Sequence, residues 1–133
     1  MPRFVYLFGA FAAALCCGCG GGDDINQPSD RPDNSISIVS RAETKATGAF
    51  APNPLTVPVN GVVHWYNDDR TAAGGQYGGS NGTTHTINAD DLSFLSGNLT
   101  PGRSFEHTFG TPGSYEYHCS IHPAMRGTIT VTP

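Results

Sequence analysis

From about Ser35 to Val131 the chain is a series of short β-prone runs cut apart by Gly, Pro and Asn. This punctuation constrains the fold more than any other feature. Ile36 and Ile38 open the first run, and Leu55-Thr56-Val57-Pro58-Val59 forms a second, in which Pro58 demands an edge or bulge position. Asn60-Gly61 is a strong turn signal and leads into Val62-Val63-His64-Trp65-Tyr66-Asn67. Thr84-His85-Thr86-Ile87 is short and β-prone. Phe105, His107 and Phe109 alternate with polar residues, and Thr111-Pro112-Gly113 turns the chain into Ser114 to Cys119. Gly127-Thr128-Ile129-Thr130-Val131 closes it. Strands at this spacing predict an all-β sandwich of about seven or eight strands. Ala89 to Ser96 has room for one short helical turn.

Composition narrows the function. The 133 residues suit one domain and a leader, and 17 Gly with 10 Pro argue against a helix bundle. Charged residues make up 14% of the chain, the formal charge is −4, and the seven Lys and Arg are scattered, so no nucleic-acid partner is expected. No apolar run reaches the ~18 residues of a membrane span.

Residues 1–18 read as a secretory signal, with Arg3 in a thin basic region and an apolar stretch from Phe4 to Leu15. Cys16, Cys17 and Cys19 follow. An ordinary cleaved leader would discard these cysteines. The sharper reading is a bacterial lipoprotein signal, which the segment resembles. Gly18 then precedes a lipidated Cys19, although Cys16 stands where that pattern usually has Leu. The implied location is the periplasm or cell envelope, with a membrane anchor if Cys19 is acylated. Residues 19–34, rich in Gly, Asp, Pro and Asn, read as a flexible tether. The domain then spans 35–133.

Removal of the leader leaves Cys119 as the single cysteine of the folded part, so an intramolecular disulfide framework is excluded. A lone thiol in an exported domain points to a metal thiolate or a reactive group. Cys119-Ser120-Ile121-His122-Pro123-Ala124-Met125 places a thiolate, an imidazole and a thioether within one tight loop. His85 adds a second imidazole from elsewhere. Two imidazoles, one thiolate and a weak thioether suit a copper ion that cycles between Cu(I) and Cu(II). A structural zinc site normally closes with Cys and His alone. His64 alternates with Val63 and Trp65 and reads as an exposed structural residue. His118 leaves the opposite face of its strand from Cys119, and His107 shares a face with Phe105 and Phe109. None of these three is expected to bind metal. Trp65 is expected to anchor the core. The Gly-rich loop 68–82 is long for a compact domain and is either functional or mobile.

The run from Tyr115 to Gly127 resembles the copper loop of the cupredoxins, and its short Cys-x2-His-x2-Met spacing is similar to that of amicyanins. Phe50 to Val57 and His64 to Asn67 add to the likeness, which covers roughly 35–131. The resemblance implies a Greek-key β-sandwich and one copper ion. It makes His85, Cys119 and His122 the equatorial ligands and Met125 the axial one. It further implies that the Thr86 N–H bonds the Cys119 sulfur, and that Asn67, Thr86 and Ser120 tie the two ligand loops together. Loop 68–82 is longer than its amicyanin counterpart and should lie near the copper end.

The function implied is transfer of single electrons between redox partners that dock near His122, where Pro123, Ala124 and Ile121 would form an apolar patch. A monomer without a small-molecule substrate is expected. The alternative is a copper storage or delivery protein, which would release the metal that a carrier holds. Copper enzymes of this kind need His-x-His pairs and a His after the Cys, and here Ser120 follows Cys119.

Overall fold

The computed structural model describes residues 30–70 and 82–133. The leader, Cys19 and residues 71–81 of the Gly-rich loop lie outside the described residues, as does most of the tether.

Eight strands are described: β1 (Ser35–Ile38), β2 (Phe50–Ala51), β3 (Leu55–Pro58), β4 (Gly61–Asn67), β5 (Asn88–Ala89), β6 (Ser104–Phe109), β7 (Gly113–His118) and β8 (Arg126–Thr132). They form two four-stranded sheets, ordered β2-β1-β4-β6 and β3-β8-β7-β5. The β1–β4 and β3–β8 pairs are parallel, and the remaining pairs are antiparallel. The expected all-β sandwich is therefore present. β3 lies at a sheet edge, so Pro58 removes no interior ladder bond. Asn60 takes a left-handed φ of 65° before Gly61, the backbone that an Asn-Gly turn uses.

Period-two alternation sets the core. Val63, Trp65 and Asn67 of β4 point inward, as do Ile36 and Ile38 of β1 and Gly127, Ile129 and Val131 of β8. Trp65 is fully buried and joins the sheets. It lies 5.6 Å from Tyr117 of β7 in an edge-on contact, 5.7 Å from Phe94 and Phe105, and 6.5 Å from Phe109. Burying an aromatic of about 150–250 Å² at about 25 cal/mol/Å² contributes roughly 4–6 kcal/mol.

Two local expectations differ in detail. Within Ala89–Ser96 a single turn closes through the bond from the Leu92 N–H to the Ala89 carbonyl (3.1 Å). It goes no further, because Leu92 takes a left-handed φ of 63°. The helical turns among the described residues lie instead at Ala42–Thr44 and Ala46–Ala49, both 3₁₀. The run 84–87 is not a ladder strand. His85 makes an isolated bridge to Leu99, while the Thr86 and Ile87 N–H groups are used by the side chains of Cys119 and Ser96.

Arg31, inside the stretch read as tether, is held against β4. Its guanidinium binds both Asp68 carboxylate oxygens at 2.6 and 2.8 Å and lies 4.0 Å over the Tyr66 ring. Fork-on-carboxylate geometry and cation–π contact fasten it there.

Candidate metal centre

Cys119 directly follows β7, and the loop after it folds back on itself. The Cys119 N–H donates to the Met125 carbonyl at 3.2 Å, and the Met125 N–H donates to the His122 carbonyl at 2.9 Å. These bonds keep Cys119, His122 and Met125 together. Cys119 and Met125 are fully buried, whereas His122 is half-buried beside exposed Ile121, Pro123 and Ala124.

His85 arrives from the other side. Its backbone is clamped to Leu99 by bonds of 3.0 and 2.8 Å. Asn67, buried at the end of β4, fixes that loop: its amide donates to the carbonyls of Thr83 and Leu99, each at 2.8 Å. The donor atoms of His85, Cys119 and His122 all lie within 4.8 Å of one another. Cys119 Sγ is 3.8 Å from His85 Nδ1 and 3.7 Å from His122 Nδ1.

Thr86 and Ser120 join the two loops, whereas the hydrogen bonds of Asn67 stay on the His85 side. The Thr86 N–H donates to Cys119 Sγ at 3.3 Å, the Ser120 N–H donates to Thr86 Oγ1 at 2.8 Å, and the two hydroxyls are 2.9 Å apart. The other histidines lie elsewhere. His64 Nδ1 faces Glu106 at 3.3 Å, His118 Nδ1 faces Asp90 at 2.5 Å, and His107 stacks on Phe94 with centroids 4.8 Å apart.

Sequence reading missed Asp69. Its carboxylate is 1% exposed, and Oδ2 lies 2.8 Å from His85 Nε2. Burial alone would push its pKa up, but hydrogen bonds from His85 and from the Arg41 and Ala42 N–H groups hold it below the usual value. The ionised carboxylate only accepts, so Nε2 carries the hydrogen and Nδ1 faces the sulfur. The one sequence signal was the Asp68-Asp69 pair directly after the Trp strand, and a carboxylate is by default solvent-exposed.

The sulfur is electronically prepared. Burial opposes ionisation of Cys119, but hydrogen bonds from His85, the Thr86 N–H, and the His122 N–H and ring outweigh it and bring its pKa down to about 6. His85 is raised: burial lowers its pKa, but the bonds to Cys119 and Asp69 prevail. In the metal-free protein the thiolate absorbance should therefore rise with a midpoint near pH 6, against 9.0 for an ordinary thiol. A depressed thiol adds stability that grows above pH 6 and is lost as pH falls through it. Comparing wild type with Cys119→Ala from pH 5 to 9 checks the sign, since the variant should lack that increment. An ultraviolet midpoint near 9 would contradict it.

A cupredoxin-like domain model matches residues 23–131, and the chain belongs to this family. A purple cupredoxin from Nitrosopumilus maritimus shares the fold at 31% identity and a TM-score of 0.61, over 75% of this chain and all of that one. A copper-containing nitrite reductase from Thermus scotoductus matches at 30% identity and a TM-score of 0.56, over 74% of this chain but 22% of its own. Plastocyanin from Physcomitrium patens is 43% identical over 51 residues, which is 37% of this chain and 27% of that protein. The cofactor is one copper ion. The donor set fits it, because a low-pKa thiolate beside two imidazole nitrogens accommodates both Cu(I) and Cu(II).

Proposed function

We propose that this protein is a mononuclear type 1 copper protein carrying single electrons between redox partners outside the cytoplasm, with His85, Cys119 and His122 as strong ligands and Met125 as the axial one. The observation that carries this reading is the convergence of His85 on the self-closed Cys119–Met125 loop around one sulfur. Copper supplies the one-electron couple. The chain's own residues hold the donors: Thr86 steadies the sulfur, Asn67 fixes the His85 loop, Ser120 ties the Cys119 loop to Thr86, and burial of Met125 keeps water from that side. A site held this firmly before and after transfer needs little rearrangement.

Half-buried His122 provides the way out for the electron. Ile121, 47% exposed, joins Pro123 and Ala124 as a small apolar rim suited to brief contact with a redox protein. The nitrite reductase likeness covers 22% of that enzyme, so its activity is not carried over to this chain. We place the protein in the periplasm or cell envelope, attached through Cys19. Mass spectrometry of the mature protein tests the attachment, and an unmodified N-terminus would remove it.

Visible absorption and EPR of the Cu(II)-loaded protein test the centre. Intense visible absorption with narrow copper hyperfine splitting is expected. A pale protein with wide splitting would overturn the assignment and favour storage or delivery. Met125→Leu should keep the copper and raise the potential, because an apolar side chain in place of an axial donor disfavours the more highly charged Cu(II). A lowered potential in voltammetry would count against an axial Met125.

A further inference from the structure

Asp69 lies outside the donor group, yet it bonds directly to one of its members. It is a buried carboxylate, 1% exposed, directly behind a ring nitrogen of His85. The fold is built to hold it. Oδ1 accepts the Arg41 N–H at 2.7 Å, Oδ2 accepts the Ala42 N–H at 3.3 Å, and its own N–H donates to Asn67 Oδ1 at 3.0 Å. Arg41 takes a left-handed φ of 58°, a conformation unfavourable for a residue with a Cβ, at the turn that presents these two N–H groups. Glu43, on the same 3₁₀ turn, brings a second carboxylate. Its oxygen and the donor atoms of Asp69 and His85 lie within 4.8 Å of one another.

We propose that Asp69 is a positioning residue for the copper centre: its carboxylate holds the His85 ring through Nε2–H and, by that bond, lowers the reduction potential. The inference rests on His85 being a copper ligand. Two effects share one direction. The charge-assisted bond fixes the ring so that only Nδ1 is free to bind metal, and it makes that nitrogen a stronger donor. A stronger donor and a nearby negative charge both favour Cu(II) over Cu(I). Because the 3₁₀ turn 42–44 grips the carboxylate, its docking becomes part of the tuning of the centre.

The test uses the copper-loaded protein and three measurements. The visible spectrum of the wild type establishes whether the thiolate centre exists at all. Voltammetry then compares wild type, Asp69→Asn and Glu43→Gln. Asp69→Asn should weaken Cu(II) binding about tenfold or more relative to Cu(I), a rise of about 59 mV per tenfold. Glu43→Gln, which keeps the shape and replaces a carboxylate that does not bond His85, should raise the potential less. NMR of the diamagnetic Cu(I) wild type needs no variant to fold: the His85 Nε2 proton should be present and slow to exchange. A wild type without the visible band would overturn both the copper reading and this proposal. An intact band with a potential unmoved in Asp69→Asn, or with no protected Nε2 proton on His85, would overturn this proposal alone.

Discussion

Cys119→Ser should abolish the intense visible absorption of the copper-loaded protein while leaving the fold intact. The sulfur is the point of convergence. It lies 3.8 Å from His85 Nδ1 and 3.7 Å from His122 Nδ1, and it accepts the Thr86 N–H at 3.3 Å. Its pKa of about 6 provides a thiolate at neutral pH. A serine hydroxyl stays protonated there and is a hard, weak donor, so the covalent sulfur–metal bond behind the colour is lost. The structural cost is small by comparison. The new hydroxyl would sit fully buried but would keep the Thr86 N–H as a partner, which avoids most of the ~1–3 kcal/mol penalty for an unpaired buried group. Circular dichroism of the metal-free variant should match the wild type. Visible and EPR spectra of the Cu(II) form decide the matter, and an intact thiolate band in Cys119→Ser would sink the assignment.

Gly127→Ala should overpack the sandwich severely for a change of one methyl group. Gly127 of β8 is buried and stands directly opposite Tyr117 of β7. A Cβ there would fall inside the van der Waals envelope of the Tyr117 phenol. The ring has nowhere to go. It is fully buried, 4.9 Å from Phe50 and 5.6 Å from Trp65 by centroids. Overpacking of this kind costs about 1–3 kcal/mol and occasionally more, and here the upper end is expected because both neighbours are packed aromatics. For a domain of this size about 3 kcal/mol corresponds to a Tm lower by roughly 12–24 °C. Tyr117 precedes Cys119 by two residues, so copper affinity should fall as well. Thermal unfolding measures the first effect. Tyr117→Leu should recover part of the loss in the double variant, a non-additive pairing expected of residues in contact. A Gly127→Ala melting curve superimposable on wild type would show that the phenol is free to move.

The strands and the metal loop were legible in the chain for different reasons. Alternation in β1, β4, β6 and β8 is a property of neighbouring residues, so each buried face could be read locally, and Trp65 could be recognised as the anchor. Cys119, His122 and Met125 were equally local, since a seven-residue loop keeps its side chains close together. The three other histidines could be set aside by the same alternation, and each lies away from the donor group.

Contacts between residues far apart in sequence emerge only on folding. The parallel pairings β1–β4 and β3–β8 depend on crossovers whose register no local pattern records. Arg31 gave no sign within a polar tether that it would fasten to Asp68 and Tyr66. The run 84–87 carried a strand signal, yet its N–H groups were claimed by the side chains of Cys119 and Ser96. Asp69 could not be foreseen. A carboxylate enters a core only where charge and hydrogen bonds offset its lost hydration, and its partners Arg41, Ala42 and His85 come from two distant segments. Short-range periodicity and spacing thus encode the sandwich and gather Cys119, His122 and Met125 into one loop. The tertiary structure decided what surrounds His85, because that environment exists only once long-range segments have met and excluded water.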